Sequence, residues 1–213
     1  AITKGAIAVV VENNEALPDE LIVHSHIAKI LVKDSRKALA ELSKGFYKNP
    51  SDTLKLIGIT GTNGKTTSAF IIKNILQSNG YKSGLIGTIA NYIGDEKIDS
   101  KLTTPESNDL NKMFYEMIKS GCEYAVMEVS SHSLVLNRVY GLNFRTAVFS
   151  NITSDHLDFH TSFDDYLRAK KILFDNLSSS SFAIINSDDK NSKEIVKDSK
   201  AEVFTYGVSE GSD

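Results

Sequence analysis

The stretch "GITGTNGKTTSAF", residues 58–70, carries the decision about the fold. Its first residues close an apolar run, "LKLIGIT" (54–60), that reads as a buried strand. Its last ones open "KTTSAFIIKNILQSN" (65–79), which has apolar positions at helical spacing and Gly80 placed to stop the helix. A glycine-bearing turn between strand and helix is the form of a phosphate-binding loop. Gly61 and Gly64 let backbone N–H groups converge on an anion, and the helix N-terminus favours negative charge. Lys65 can reach terminal phosphates, and Thr66 offers a hydroxyl to Mg²⁺. The usual loop asks for a further glycine five residues before Gly64, and that position is Ile59. The motif alone therefore leaves a second reading open, a glycine-rich turn capped by a threonine.

On both sides of this stretch the chain alternates strand and helix. "AIAVVV" (6–11) and "AKILV" (28–32) read as buried strands. "DSRKALAELSKGFY" (34–47) reads as a helix with Asp34 or Ser35 at its N-cap and Ala38, Leu39, Leu42 and Phe46 on one face. "KNPSD" (48–52) is turn chemistry, with Pro50 disfavouring helix, and marks a boundary between residues 1–48 and 49–213. Beyond the loop come a strand at 83–89, a hairpin around "GDEK" (94–97) and a helix at 108–120 stopped by Gly121. Strands at 124–130 and 145–152, a helix at 162–177 and a strand at 182–189 follow. A short helix and "AEVFTYG" (201–207) complete the pattern. Apolar strands alternating with helices predict a mostly parallel sheet with helices on both faces, where ligands gather at the carboxyl ends of the strands.

Composition narrows the class. The chain has 213 residues, 41% hydrophobic and 24% charged, which suits a globular protein with a full core. A net charge of -3 gives no electrostatic reason to expect nucleic acid or a membrane surface as partner. Cys122 is the single cysteine, which fits a reducing cytoplasm and rules out an intrachain disulfide. No apolar run approaches the roughly 18 residues of a membrane span. The opening "AITKGAIAVVVENN" has neither Met nor the pattern of a signal peptide, and reads as the interior of something longer.

"GTNGKTT" is followed in order by "LTTPES" (102–107), "MEVSSH" (127–132), "SNITSDHLDFH" (150–160) and "YLRAKKILF" (166–174). Together they resemble the Mur ligase family, and within it the MurE branch, whose members add the third residue of the peptidoglycan stem peptide. The short loop is that family's own form of the P-loop. The resemblance implies that 1–48 is the remnant of an N-terminal UDP-substrate domain and 49–213 a central ATP-binding domain, incomplete at its C-terminal end. A C-terminal ligase domain is missing from this reading, so the fragment alone is expected to be inactive. The implied cofactors are ATP and Mg²⁺. The implied partners are UDP-N-acetylmuramoyl-dipeptide and an amino acid, lysine or diaminopimelate, in a cytoplasmic monomer.

The resemblance also implies roles. ATP would lie on Gly61, Thr62, Asn63, Gly64, Lys65, Thr66 and Thr67, with Asn186 of "IINSDD" near the adenine. Lys65, Glu128, His156 and Lys170 would be catalytic. Thr66 and Glu128 would ligate one Mg²⁺, and His156 and Lys170, the latter as a carbamate, a second. By residue type alone a strand-end glutamate is often a solvated cap, and a helix lysine an ordinary surface charge. Lys171 is adjacent, and the family pattern favours Lys170. His156 and His160 are four apart, but Leu157 stands where a zinc hydrolase of the H-E-x-x-H type needs its glutamate. His160 and His132 receive no role, and His24 and His26 read as surface residues. Thr103, Thr104, Ser130 and Arg138 would bind the diphosphate and carboxylates of the sugar nucleotide. Leu136 departs from family members that carry a glutamine there.

The implied reaction is ATP-dependent amide-bond formation through an acyl phosphate. One rival is folylpolyglutamate synthetase, which shares fold, loop and chemistry but matches "MEVSSH" and "TTPES" less well. The other is a P-loop binding module without ligase activity. A GTPase switch would need an N-K-x-D motif after the loop, and none follows.

Overall fold

The computed structural model of the chain describes residues 1–153 and 159–208. The first segment contains β1 (Ala8–Val11), α1 (Asp19–Ser25), β2 (Ala28–Leu31) and α2 (Ser35–Phe46). β1 and β2 pair in parallel, Ala8 opposite Ala28 through Val11 opposite Leu31, as a sheet of their own. Asp34 caps α2 by accepting from Lys37 N at 2.9 Å. Two expectations need correction here. The strands at 6–11 and 28–32 are not buried, because a two-stranded sheet has too few covering layers: Ile30 and Leu31 are 47% and 58% exposed. In α2 it is Ala40 and Ser43 that are buried, while Leu39, Leu42 and Phe46 face outward, Phe46 being 78% exposed. α1 is a further element, absent from the strand–helix pattern above; Pro18 before Asp19 and Glu20 is its start signal.

Pro50 begins a 3₁₀ turn (Pro50–Asp52) that leads into the main sheet. Its strands are β3 (Lys55–Thr60), β4 (Ser83–Ile86), β5 (Ala90–Ile93), β6 (Glu96–Asp99), β7 (Tyr124–Glu128), β8 (Phe144–Phe149), β9 (Phe182–Asn186) and β10 (Glu202–Tyr206). Their order is β10-β9-β8-β3-β7-β4-β5-β6, with all pairings parallel except the two that β5 makes, with β4 and with β6. The predicted strand at 83–89 is therefore shorter, and the chain turns back at 87–89 to begin the expected hairpin.

Helices α3 (Lys65–Ser78), α4 (Ser107–Lys119), α5 (Ser131–Val135), α6 (Phe163–Asp175) and α7 (Ser192–Ile195) complete the domain. Strand alternation sends apolar side chains to two cores. On one face Ile59, Leu85 and Val126 meet Ala69, Phe70, Ile72 and Leu76 of α3. On the other, Leu56, Ala125, Met127 and Phe149 meet Leu110, Phe114 and Met117 of α4 and Tyr166, Leu173 and Phe174 of α6. Each fully buried large side chain contributes roughly 1.5–3 kcal/mol of transfer free energy. The sheet is thus covered on both faces, which is what near-continuous apolar strands require.

Candidate active-site cleft

From β3 the chain crosses to β4, returns to place β7 beside β3, and then puts β8 on the opposite side. The loop after β3 lies at this reversal of strand order, where an open α/β sheet forms its crevice. Ile59, the residue in place of the usual glycine, is an interior strand residue, fully buried and opposite both Glu128 and Val148. The loop is short because the strand continues to Thr60.

The segment after β8 braces the loop. Thr62 N donates to Asn151 O at 2.8 Å, Asn63 N to Asn151 Oδ1 at 3.0 Å, and Ser150 Oγ to Asn63 O at 2.7 Å. A Cβ on Gly61 would run into Ser150 Oγ, and Gly64 holds a φ of 85° at the N-cap of α3, so both glycines are required. Lys65 Nζ donates to the carbonyls of Gly61 and Thr62, both at 2.9 Å.

Glu128 ends β7 and is 1% exposed. The Thr66 hydroxyl donates to both of its carboxylate oxygens at 2.9 Å. Thr88 adds its N–H to Oε1 at 2.8 Å and its hydroxyl to Oε2 at 3.0 Å. Sequence reasoning missed Thr88. Its relevance comes from β4 lying beside β7, a strand order that no local motif encodes.

The opposite wall holds the predicted substrate residues. Thr103 Oγ1 is 3.0 Å from Thr88 Oγ1. Thr104 Oγ1 donates to the Glu128 carbonyl at 2.9 Å and accepts from Ser130 N at 3.1 Å. Arg138 Nη1 donates to the Thr104 carbonyl at 3.1 Å. Residues 62–67, Thr88, 102–104, Glu128, Ser130, His132 and Arg138 line one cleft of about 590 Å³.

Lys170 and Lys171 are neighbours in sequence and differ completely in setting. Lys170 is 1% exposed; its Nζ donates to the Gly61 carbonyl at 3.0 Å and lies 4.4 Å from the centre of the Tyr166 ring. Lys171 turns away to Asp175 at 2.5 Å and Asp198 at 2.6 Å. Burial pulls the Lys171 pKa down, but the two carboxylates outweigh it and the net shift is upward. Tyr166 OH is 3.2 Å from Thr62 Oγ1, so α6 braces the phosphate-binding loop from below. His160 is buried with Nε2 2.9 Å from Ser131 Oγ, and the His132 ring stacks on Phe159 at 3.9 Å. His24 and His26 are exposed.

Asn186 does not line the cleft. Its Nδ2 donates to Ser150 O at 2.8 Å and its Oδ1 accepts from Asp188 N at 3.0 Å. His156 lies outside the described residues. Among the described residues no three or more His, Cys, Asp and Glu side chains converge to hold a metal. The Glu128 carboxylate with the Thr66 hydroxyl is nevertheless an all-oxygen pair beside the loop. That donor set fits Mg²⁺, which takes one or two carboxylates together with phosphate oxygens and water. No helix among the described residues is long and apolar enough to cross a membrane.

Comparison with known proteins agrees with this geometry. Residues 59–213 match the Mur ligase middle domain. A UDP-N-acetylmuramoyl-L-alanyl-D-glutamate--2,6-diaminopimelate ligase of Clostridium acetobutylicum is 52% identical across the whole chain, which spans 42% of that relative's length. A solved structure of a ligase of the same name superposes with a TM-score of 0.83 at 27% identity, covering all of this chain and 42% of that one. E. coli FolC in complex with DHPP and ADP shares the fold alone, with a TM-score of 0.59 at 19% identity over 82% of this chain and 47% of its own. The short glycine-bearing loop, the buried glutamate beside it and the match over residues 59–213 give one conclusion: this chain belongs to the Mur ligase family.

Proposed function

We propose that this chain is the nucleotide-binding part of an ATP-dependent, ADP-forming ligase of peptidoglycan precursor synthesis. It joins 2,6-diaminopimelate to UDP-N-acetylmuramoyl-L-alanyl-D-glutamate, acting as a cytoplasmic monomer. The observation that carries the reading is the single cleft in which Lys65 and Glu128 face the wall of Thr103, Thr104, Ser130 and Arg138. The choice of diaminopimelate over lysine rests on the names of relatives about half identical to this chain. In domain terms, residues 1–48 belong to the UDP-binding unit and 49–213 to the ATP-binding unit.

The γ-phosphoryl group passes from ATP to the D-glutamate carboxylate, giving an acyl phosphate and ADP. The incoming amine attacks that carbonyl carbon, loses a proton, and inorganic phosphate leaves. Such transfer depends on positioning and charge neutralisation. Backbone N–H groups of 61–67 cradle the phosphates, and Lys65 leaves the Gly61 and Thr62 carbonyls to meet the terminal ones. Glu128, held in one orientation by Thr66 and Thr88, and the Thr66 hydroxyl would hold Mg²⁺, which would supply charge neutralisation at the phosphates. Thr103, Thr104, Ser130 and Arg138 hold the precursor, Asn186 supports the adenine side, and His156 with a carbamylated Lys170 serves a second cation. Carbamylation takes a neutral amine, which attacks CO₂ and releases a proton.

The test is ADP release by the full-length gene product, dependent on both the UDP precursor and diaminopimelate. Turnover with a pteroate substrate instead would favour the folate-ligase reading, and a GTP preference the nucleotide-switch reading. Lys170→Ala should still bind ATP yet lose turnover, and a small carboxylic acid should restore part of it. Wild-type turnover in that variant would make Lys170 an ordinary structural lysine.

A further inference from the structure

Arg138 is presented by a turn. α5 ends at Val135, Leu136 follows, and Asn137 adopts a left-handed φ of 55°. Groups from two other elements hold this turn. Asn137 Nδ2 donates at 3.3 Å to Asp34 Oδ2, and Asp34 is also the N-cap of α2. At the start of α4, Ser107 Oγ donates to the Arg138 carbonyl at 3.0 Å. Glu106, just before α4, places Oε1 2.8 Å from Arg138 Nε and Oε2 3.6 Å from Arg36 Nη1 in the first turn of α2. The Arg138 Nε–H does not point along the Glu106 contact, so the attraction there is coulombic and not a directed hydrogen bond.

We propose that Glu106 is a positioning residue for Arg138, and that through Arg36 it ties the aim of the cleft arginine to the seating of α2. The inference rests on the reading of this cleft as the precursor site. The ligand group concerned is an anionic oxygen, a carboxylate or phosphate of the precursor, because a guanidinium fixed on two sides presents its remaining edge to such a group. Arg36 and Glu106 are half-exposed, so their contact is the weaker arm. Arg138 is more enclosed, so its contact with Glu106 is the stronger one.

The experiment is steady-state kinetics of the full-length enzyme carrying Glu106→Gln, Arg36→Met, or both. Glu106→Gln keeps the shape and removes the charge. It should raise KM for UDP-N-acetylmuramoyl-L-alanyl-D-glutamate about tenfold, with kcat and KM for ATP within about twofold of wild type. Arg36→Met should raise the same KM about threefold and add little in the Glu106→Gln background, since both act through one contact chain. An unchanged precursor KM in Glu106→Gln, or an equal rise in KM for ATP, overturns the proposal. If Glu106→Gln does not fold, Arg36→Met decides alone, and a wild-type precursor KM overturns it. Failure of the wild-type enzyme to use the precursor at all would sink the functional reading itself, a separate result.

Discussion

The sheet of β1 and β2 and the pair β3 and β7 are built from similar apolar runs in the same parallel pairing, yet they end in opposite environments. Leu56, Ile59 and Val126 are fully buried, whereas Ile30 and Leu31 stand about half exposed. β1 and β2 each pair on one side only, whereas β3 and β7 are flanked by strands on both, and the two sheets also differ in what covers them. The eight-stranded sheet has α3 on one face and α4 and α6 on the other. The two-stranded sheet has too little around it to bury either face. An apolar run therefore specifies a strand, and neighbouring layers specify whether that strand is core. The cleft residues stand on the buried sheet, where Glu128 and the loop can be held in one geometry. The first segment reaches the cleft indirectly, Asp34 through Asn137 and Arg36 through Glu106, the neighbour of Arg138.

Four substitutions can break or sharpen this contrast. The largest effect is expected from Lys65→Ala in the full-length enzyme. On the proposed reading, Lys65 is the loop side chain that would meet the terminal phosphates. Its removal should cut turnover at least about a hundredfold and weaken nucleotide binding by several kcal/mol, the scale of a charge-assisted hydrogen bond to phosphate. Intact ATP binding by calorimetry would detach the loop from the function. Next comes the core. Phe114→Ala should destabilise the main sheet by about 3–5 kcal/mol in denaturant unfolding, through the transfer free energy of the ring and the cavity left behind. The equivalent truncation Leu42→Ala, on the 59%-exposed face of α2, should change stability by no more than about 0.5 kcal/mol. Equal losses would show that the first segment is packed as tightly as the second.

The smallest effect concerns the Lys171–Asp198 pair. Hydrogen bonding and charge from Lys171 hold the Asp198 carboxyl below its usual range. Its contribution is therefore present above the unfolded carboxylate pKa of about 3.9 and disappears as pH falls through the lower folded value. Lys171 is shifted upward, so its share is full below about 10.4 and disappears as pH rises through the higher folded value. Asp198→Asn should accordingly melt slightly lower than wild type at neutral pH and match it in strong acid. A difference that persists unchanged into acid would mean that packing, and not charge, is responsible.

Much of this was legible in one dimension. The strand–helix alternation, the break at Pro50, the stops at Gly80 and Gly121 and the loop at 61–66 all follow from local chemistry, because turns, caps and periodicity act over a few residues. The choice of Lys170 over Lys171 came from family resemblance alone. Only the packing of α6, with its Tyr166 ring, against the Gly61 carbonyl shows how differently the two side chains are used. Thr88 and Glu106 could not be found in the sequence. A threonine after a strand and a glutamate before a helix are ordinary there, and both gain meaning only when β4 settles beside β7 and α2 against α4. The resemblance puts Asn186 near the adenine, and the fold adds that its amide ties Ser150 O to the Asp188 N–H at the end of β9.

By itself, then, the sequence determined most of the elements, their α/β class, the glycine-bearing loop at 61–66 and, through five short motifs, the family, since each element, loop or motif depends on residues close along the chain. The tertiary structure decided which apolar runs became core, which of two adjacent lysines turned inward, and which residues hold Glu128 and Arg138. Those outcomes depend on contacts between segments tens of residues apart, and their geometry is set by strand order and helix packing.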